Sequence, residues 1–158
     1  MKIINLTKLI VAIIFCELAG VIGSIFTIPS IPTWYISLIK PTLAPPNWVF
    51  GPVWIILFAL MGIALFLIWK NGVKSKDNKI ALSLFVSQLF LNILWSIIFF
   101  DLHSPVGAFL EIIFLWLTIF TTIIAFKKIS RAAAWLLVPY LVWVSFAAYL
   151  NFTIWMLN

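Results

Sequence analysis

The 158-residue chain is 65% hydrophobic and 9% charged, with ten Lys/Arg against four Asp/Glu for a net charge of +6. A soluble domain carries roughly a quarter of its residues as charges, so lipid is the expected solvent; the same numbers exclude disorder, and cations scattered over short segments exclude a dense basic face for nucleic acid. A single cysteine, Cys16, and a single histidine, His103, exclude an intrachain disulfide framework and a zinc site of the usual kind.

A helix crosses a hydrocarbon core of about 30 Å in about 20 residues. The first stretch that qualifies is Leu9–Ile28, interrupted only by Glu17. It is too long, and too deeply interrupted by that acid, for a cleaved signal peptide, so it is expected to be retained. Glu17 is expected to be protonated or hydrogen-bonded to another helix. Ala19, Gly20, Gly23 and Ser24 form small-residue pairs that permit close helix approach.

A connection at 29–45 follows, stiffened by Pro29, Pro32, Pro41 and Pro45. Within it Thr33–Ile39 is expected to form a short helix bearing Trp34, Tyr35 and Leu38. Its length suits a lid or binding loop; its aromatics equally suit an anchor in the headgroup region.

The second span, Pro46–Trp69, is uncharged and opens on a proline, a favoured first helical residue. Gly51-Pro52 predicts a kink near Trp54. Trp54, Phe58 and Met61 share one side, and a buried indole N–H needs an acceptor from the protein or from a ligand. The third span, Ile80–Phe100, carries Gln88, Asn92, Trp95 and Phe99 on one stripe. Such a face should point into the bundle. Gln88 reads as interhelical packing glue, and Asn92 equally as glue or as a ligand contact.

The fourth span, Val106–Phe126, is interrupted only by Glu111, close enough to one end to reach water. The fifth uncharged stretch runs from Ala132, with helix expected to about residue 156. Its stripe of Tyr140, Trp143, Ala147 and Asn151 sets large rings beside small residues, and Pro139 frees backbone carbonyls nearby. These runs are too long and too evenly apolar for barrel strands. The expectation is an all-α, five-helix membrane bundle forming one domain over residues 1–158.

With five spans, the N-terminus and the second and fourth connections share a side. That side holds Lys2, Lys8, Lys70, Lys74, Lys76, Lys79, Lys127, Lys128 and Arg131; the other holds Lys40 alone. Nine cations against one predict a cytoplasmic N-terminus and an outward C-terminus. The composition suggests a bacterial plasma membrane. An aromatic, largely apolar interior with a few polar groups suits a flat or bulky hydrophobic ligand. No acid–base pair, nucleophile or metal cluster supports ordinary catalysis.

The segment Trp34–Trp69 resembles the signature of the TspO/MBR family of translocator proteins and peripheral-type benzodiazepine receptors. The resemblance rests on Trp34-Tyr35, Leu38, Lys40-Pro41, Pro45-Pro46, Trp48, Phe50, Pro52-Val53-Trp54, Leu57, Met61-Gly62 and Ala64. Gln88, Asn92, Trp95 and Ile98-Phe99-Phe100 in the third span are similar to the family pattern too. So are Pro139-Tyr140-Leu141, Trp143, Phe146-Ala147, Leu150-Asn151 and Trp155 in the fifth.

The resemblance implies a homodimer and an interhelical pocket under the first loop. It implies porphyrin or haem as ligand rather than an obligatory cofactor, with sterols and benzodiazepine-type drugs as related ligands. It places ligand-binding residues at Trp34, Pro41, Trp54, Asn92, Trp95, Trp143, Ala147 and Asn151. It also raises a light- and oxygen-dependent breakdown of bound porphyrin with Trp54 and Trp143 as candidate reactive residues. Two departures stand out. Leu43 occupies a loop position that is often aromatic, and no cation follows Tyr149, as the sterol motif of animal members would require.

Overall fold

The computed structural model describes residues 3–158; Lys2, one of the cations used to predict orientation, lies outside them. The chain folds into five membrane-length helices: α1 (Ile3–Ser30), α2 (Asn47–Trp69), α3 (Lys76–Ser96), α4 (Pro105–Ile129) and α5 (Arg131–Leu157). Each is apolar over at least the length of a hydrocarbon core, and each leaves large apolar side chains outside, among them Ile25, Ile55, Phe90, Phe114 and Val142. A helix that is apolar all round and only partly covered by its neighbours is a lipid-facing helix.

Three helices start at serine caps. The hydroxyls of Ser75, Ser104 and Ser130 accept hydrogen bonds from the backbone N–H groups of Asn78, Gly107 and Ala133, at 3.2, 3.2 and 3.3 Å. Each satisfies one of the donors that a helix start leaves orphaned. Cations cluster in the turns at the opposite end of the bundle from Lys40, and Lys127 and Lys128 close the last turn of α4, where they complement its dipole.

Around the bundle the helices run in the order α1, α2, α5, α4, α3, with α3 closing back on α1. Two glycines set the spacing on the α1 side. A Cβ at Gly62 would lie 2.5 Å from the Ile13 Cα, and one at Gly20 would lie 2.6 Å from the Phe58 ring. At Gly62 only a hydrogen fits, so α1 and α2 approach backbone to backbone there, while Gly20 makes room for the Phe58 ring. The half of the bundle nearer the Lys70 turn is solidly filled. Cys16, Met61, Ile68, Phe85, Ile119 and Phe126 are fully covered there, and Phe85 stacks on Phe126 with centroids 5.7 Å apart.

The first connection is more helical than its four prolines suggested. The helix runs through Pro29, widens into a π-helical turn at Ile31–Tyr35 and continues to Ser37, so the irregular part starts at Leu38 and not at residue 29. Pro29 and Pro32 lack N–H donors, which opens the i→i−4 ladder where the turn widens. The Ser30 hydroxyl pins this stretch to α3's end by donating to the Phe100 carbonyl at 2.6 Å. A second π-helical turn, Ile97–Asp101, ends α3 at the same level. His103, at φ 50°, turns the chain into α4.

Two polar residues depart from expectation. Gln88 and Glu111 are buried, and among the described residues their side-chain polar atoms find no hydrogen-bond partner. Gln88 is therefore not tied to a neighbouring helix. Glu111 does not reach water, because α3 and α5 flank α4 at that level.

Candidate ligand-binding cavity

Above the packed half, the same helices part around a cavity of about 530 Å³. Its walls come from α1, α2, α3 and α5; α4 contributes none of the lining. The volume lies within the range of small-molecule sites, roughly 300–1,000 Å³. The wall from α2 is Phe50, Gly51, Trp54 and Phe58. That from α3 is Asn92, Trp95, Ser96 and Phe99, and that from α5 is Trp143, Ala147, Leu150 and Asn151.

The separation has a local cause. Where α1 faces the cavity it presents Gly20, Gly23, Ser24 and Thr27, which are too short to fill the space across from the indoles. From the sequence, Gly20, Gly23 and Ser24 read as helix-packing residues only, and Thr27 carries no reading. Gly20 does serve that role against Phe58, but the same stripe also forms the cavity's fourth wall. The missed signal was the pairing of one small-residue stripe with three aromatic ones.

The aromatic rings of the lining fall into three groups, around Trp54, Trp95 and Trp143. Trp54 stacks on Phe58 at 5.4 Å and meets Tyr140 edge-on at 6.1 Å. Trp95 stacks on Phe99 at 5.1 Å. Trp143 meets Phe50 edge-on at 5.9 Å. Such pairs fix ring orientations, each contributing about 0.5–1.5 kcal/mol beyond simple burial. Trp143 also borders a shallow apolar groove on the lipid face between α2 and α5, beside Pro139 and Val53. Its ring is therefore the partition between cavity and lipid.

The polar groups divide into two sets. One set holds the wall together. The Asn92 amide donates to the Tyr140 hydroxyl at 3.0 Å. The Trp95 indole N–H donates to the Asn151 carbonyl oxygen at 3.0 Å, while the Asn151 amide donates to the Pro105 backbone carbonyl at 2.7 Å. Asn151 thus bolts α3, α5 and the start of α4 together, and both ends of its amide are occupied. The other set is available. Among the described residues Trp54 and Trp143 make ring contacts only, so their N–H groups remain free to donate to a guest.

Six of the eight residues singled out from the sequence, namely Trp54, Asn92, Trp95, Trp143, Ala147 and Asn151, line this one cavity. Trp34 and Pro41 do not. Trp34 stacks on His103 at 4.5 Å and packs edge-on against Phe99 at 5.4 Å, behind the wall. Pro41 lies in the loop, where its carbonyl accepts from the Ala44 N–H at 2.9 Å. Tyr35 takes the place on the wall next to Trp34, and the Lys40 ammonium sits 4.6 Å above its ring. The loop is strapped down by the last residue described. The Asn158 side chain accepts from the Ile39 N–H at 2.9 Å and donates to the Ile39 carbonyl at 3.0 Å.

Comparison with known proteins gives this architecture a family. The description of the TspO/MBR family matches residues 12–156. The chain is 46% identical to the "Tryptophan-rich protein TspO" of Chlorobaculum tepidum over 143 residues, 90% of each chain. It is 43% identical to the protein of the same name from Archaeoglobus fulgidus, over 98% of this chain and 99% of that one. It is also 37% identical to the human "Translocator protein" over 77% of this chain and 73% of the relative. The match takes in the helices of the cavity wall and the loop above it, and the chain belongs to the TspO/MBR family.

Proposed function

We propose that this protein is a membrane receptor or translocator for flat hydrophobic ligands of the tetrapyrrole class, protoporphyrin IX and haem among them, with a role in tetrapyrrole or stress regulation. The observation that carries the reading is the cavity of about 530 Å³ walled by Trp54, Trp95 and Trp143. A planar macrocycle gains most from broad aromatic faces, and polar substituents on it gain from the two unengaged indole N–H groups. Sterols and benzodiazepine-type drugs fit the same chemistry as bulky apolar guests.

The test is equilibrium binding of protoporphyrin IX, followed by the shift of its Soret band so that removing tryptophans leaves the signal intact. Loss of the stacking contacts in the Trp54→Ala/Trp143→Ala double variant corresponds to about 1–3 kcal/mol, or roughly 5- to 150-fold in Kd. An unchanged Kd in a folded double variant refutes the reading.

A second reading gives the same pocket an activity, light- and oxygen-dependent breakdown of the bound porphyrin. It is favoured by Trp54 and Trp143 both bordering one cavity. Under illumination in air the wild type should then bleach the porphyrin faster than Trp→Phe variants do. Bleaching at the rate of free porphyrin in both would leave binding alone. The cation asymmetry further supports a cytoplasmic N-terminus, with the Lys40 loop and the C-terminus outside. The homodimer implied by the resemblance belongs to the same proposal, and light-scattering mass in detergent checks it.

A further inference from the structure

Glu17 forms the innermost part of the α1 wall, near the middle of the span Ile4–Tyr35. One turn further on, Gly20 lies against the Phe58 ring, and Phe58 stacks on Trp54. The end of the cavity farthest from the loop therefore combines one carboxylate with two aromatic rings. Among the described residues no Lys, Arg or His lines the cavity, and Glu17 has no hydrogen-bond or ion-pair partner. An acid at mid-membrane depth is costly unless something neutralises it, and such residues mark functional sites.

We propose that this inner end is a subsite for a protonated amine, or another cationic nitrogen, carried by an otherwise flat apolar ligand. Glu17 is its counter-ion, and the Trp54 and Phe58 rings supply cation–π contact. A carboxylate beside aromatic faces is the usual chemistry for holding an organic cation in an apolar site. The proposal rests on the cavity's being the ligand site and adds a polarity to it. The cationic end of a guest points inward to Glu17. Anionic substituents stay at the loop end, where Lys40 covers Tyr35 and no acid lines the wall.

The experiment compares a matched pair of probes, cationic 9-aminoacridine and neutral 9-methylanthracene. The purified protein is placed in zwitterionic nanodiscs, and binding is read by energy transfer from the cavity tryptophans. The wild type should bind the cation at least tenfold more tightly than the neutral probe. In Glu17→Gln that preference should fall below threefold, while the neutral probe's affinity stays within twofold of wild type and so reports an intact fold. Glu17→Asp, one methylene shorter, should retain part of the preference. A preference that survives Glu17→Gln, or is missing in the wild type, overturns the subsite while leaving the cavity reading in place. Failure of both probes to bind saturably, or to compete with protoporphyrin IX, overturns the cavity reading and the subsite with it.

Discussion

Gly62 offers the sharpest test of how the bundle is spaced. The glycine sits where α2 crosses α1, and a Cβ there would stand 2.5 Å from the Ile13 Cα and 3.0 Å from its backbone nitrogen. Comfortable carbon–carbon contact is about 3.5–4.0 Å, so Gly62→Ala requires the two helices to part by about 1 Å or more. The obstacle is backbone, which cannot swing aside as the end of a side chain can. Overpacking of this kind costs about 1–3 kcal/mol. Replacing Gly by Ala in a helix returns about 0.8–1.0 kcal/mol. Because the clash is with backbone, the upper end of the overpacking cost applies, so the net loss should be about 2 kcal/mol, and Gly62→Val should lose more. For a domain of this size about 1 kcal/mol moves Tm by roughly 2–4 °C. Thermal unfolding in detergent, followed by tryptophan emission, should therefore show Gly62→Ala melting below wild type by up to about 8 °C, with helix content unchanged. A Gly62→Ala variant as stable as wild type would refute the close α1–α2 crossing.

Other consequences follow from single contacts. Gln88→Leu should raise Tm, because it removes a buried amide that finds no partner among the described residues, at a penalty of about 1–3 kcal/mol; a lower Tm would show that the amide is satisfied. Tyr140→Phe should lower stability by about 0.5–1.5 kcal/mol, since it removes the hydrogen bond that the Asn92 amide donates from the cavity wall to the fully buried Tyr140 hydroxyl; denaturant unfolding reports it. Asn158→Ala should release the strap on Ile39. Hydrogen exchange should speed up at the Ile39 amide and across residues 38–46, with Tm nearly unchanged.

The sequence was most informative where one physical length dominates. A run of about 20 apolar residues has few fates other than a membrane helix, so all five spans could be read, and periodicity put Asn92 with Trp95 and Tyr140 with Trp143 on common faces. Helix ends were less legible. α1 runs through Pro29 with a tertiary contact just beyond it, the Ser30 hydroxyl donating to the Phe100 carbonyl, and a sequence pattern does not display tertiary partners. The same blindness affected Asn151. Its position on the aromatic stripe marked it as a ligand contact, yet its amide is engaged at both ends by Trp95 and Pro105. Trp34 was expected in the pocket but turns to His103, whose place beside it depends on the left-handed turn after α3. The α1 wall escaped notice because glycine and serine look alike whether they admit a helix or leave a void.

The most direct measurement is an experimental structure of the protein in a lipid nanodisc with protoporphyrin IX bound. The macrocycle should lie between α1, α2, α3 and α5 with its faces against Trp54, Trp95 and Trp143, leaving the lipid-side groove at Pro139 free of it. A macrocycle seated in that outer groove, with the indoles closed on one another and no space between the helices, would contradict the account.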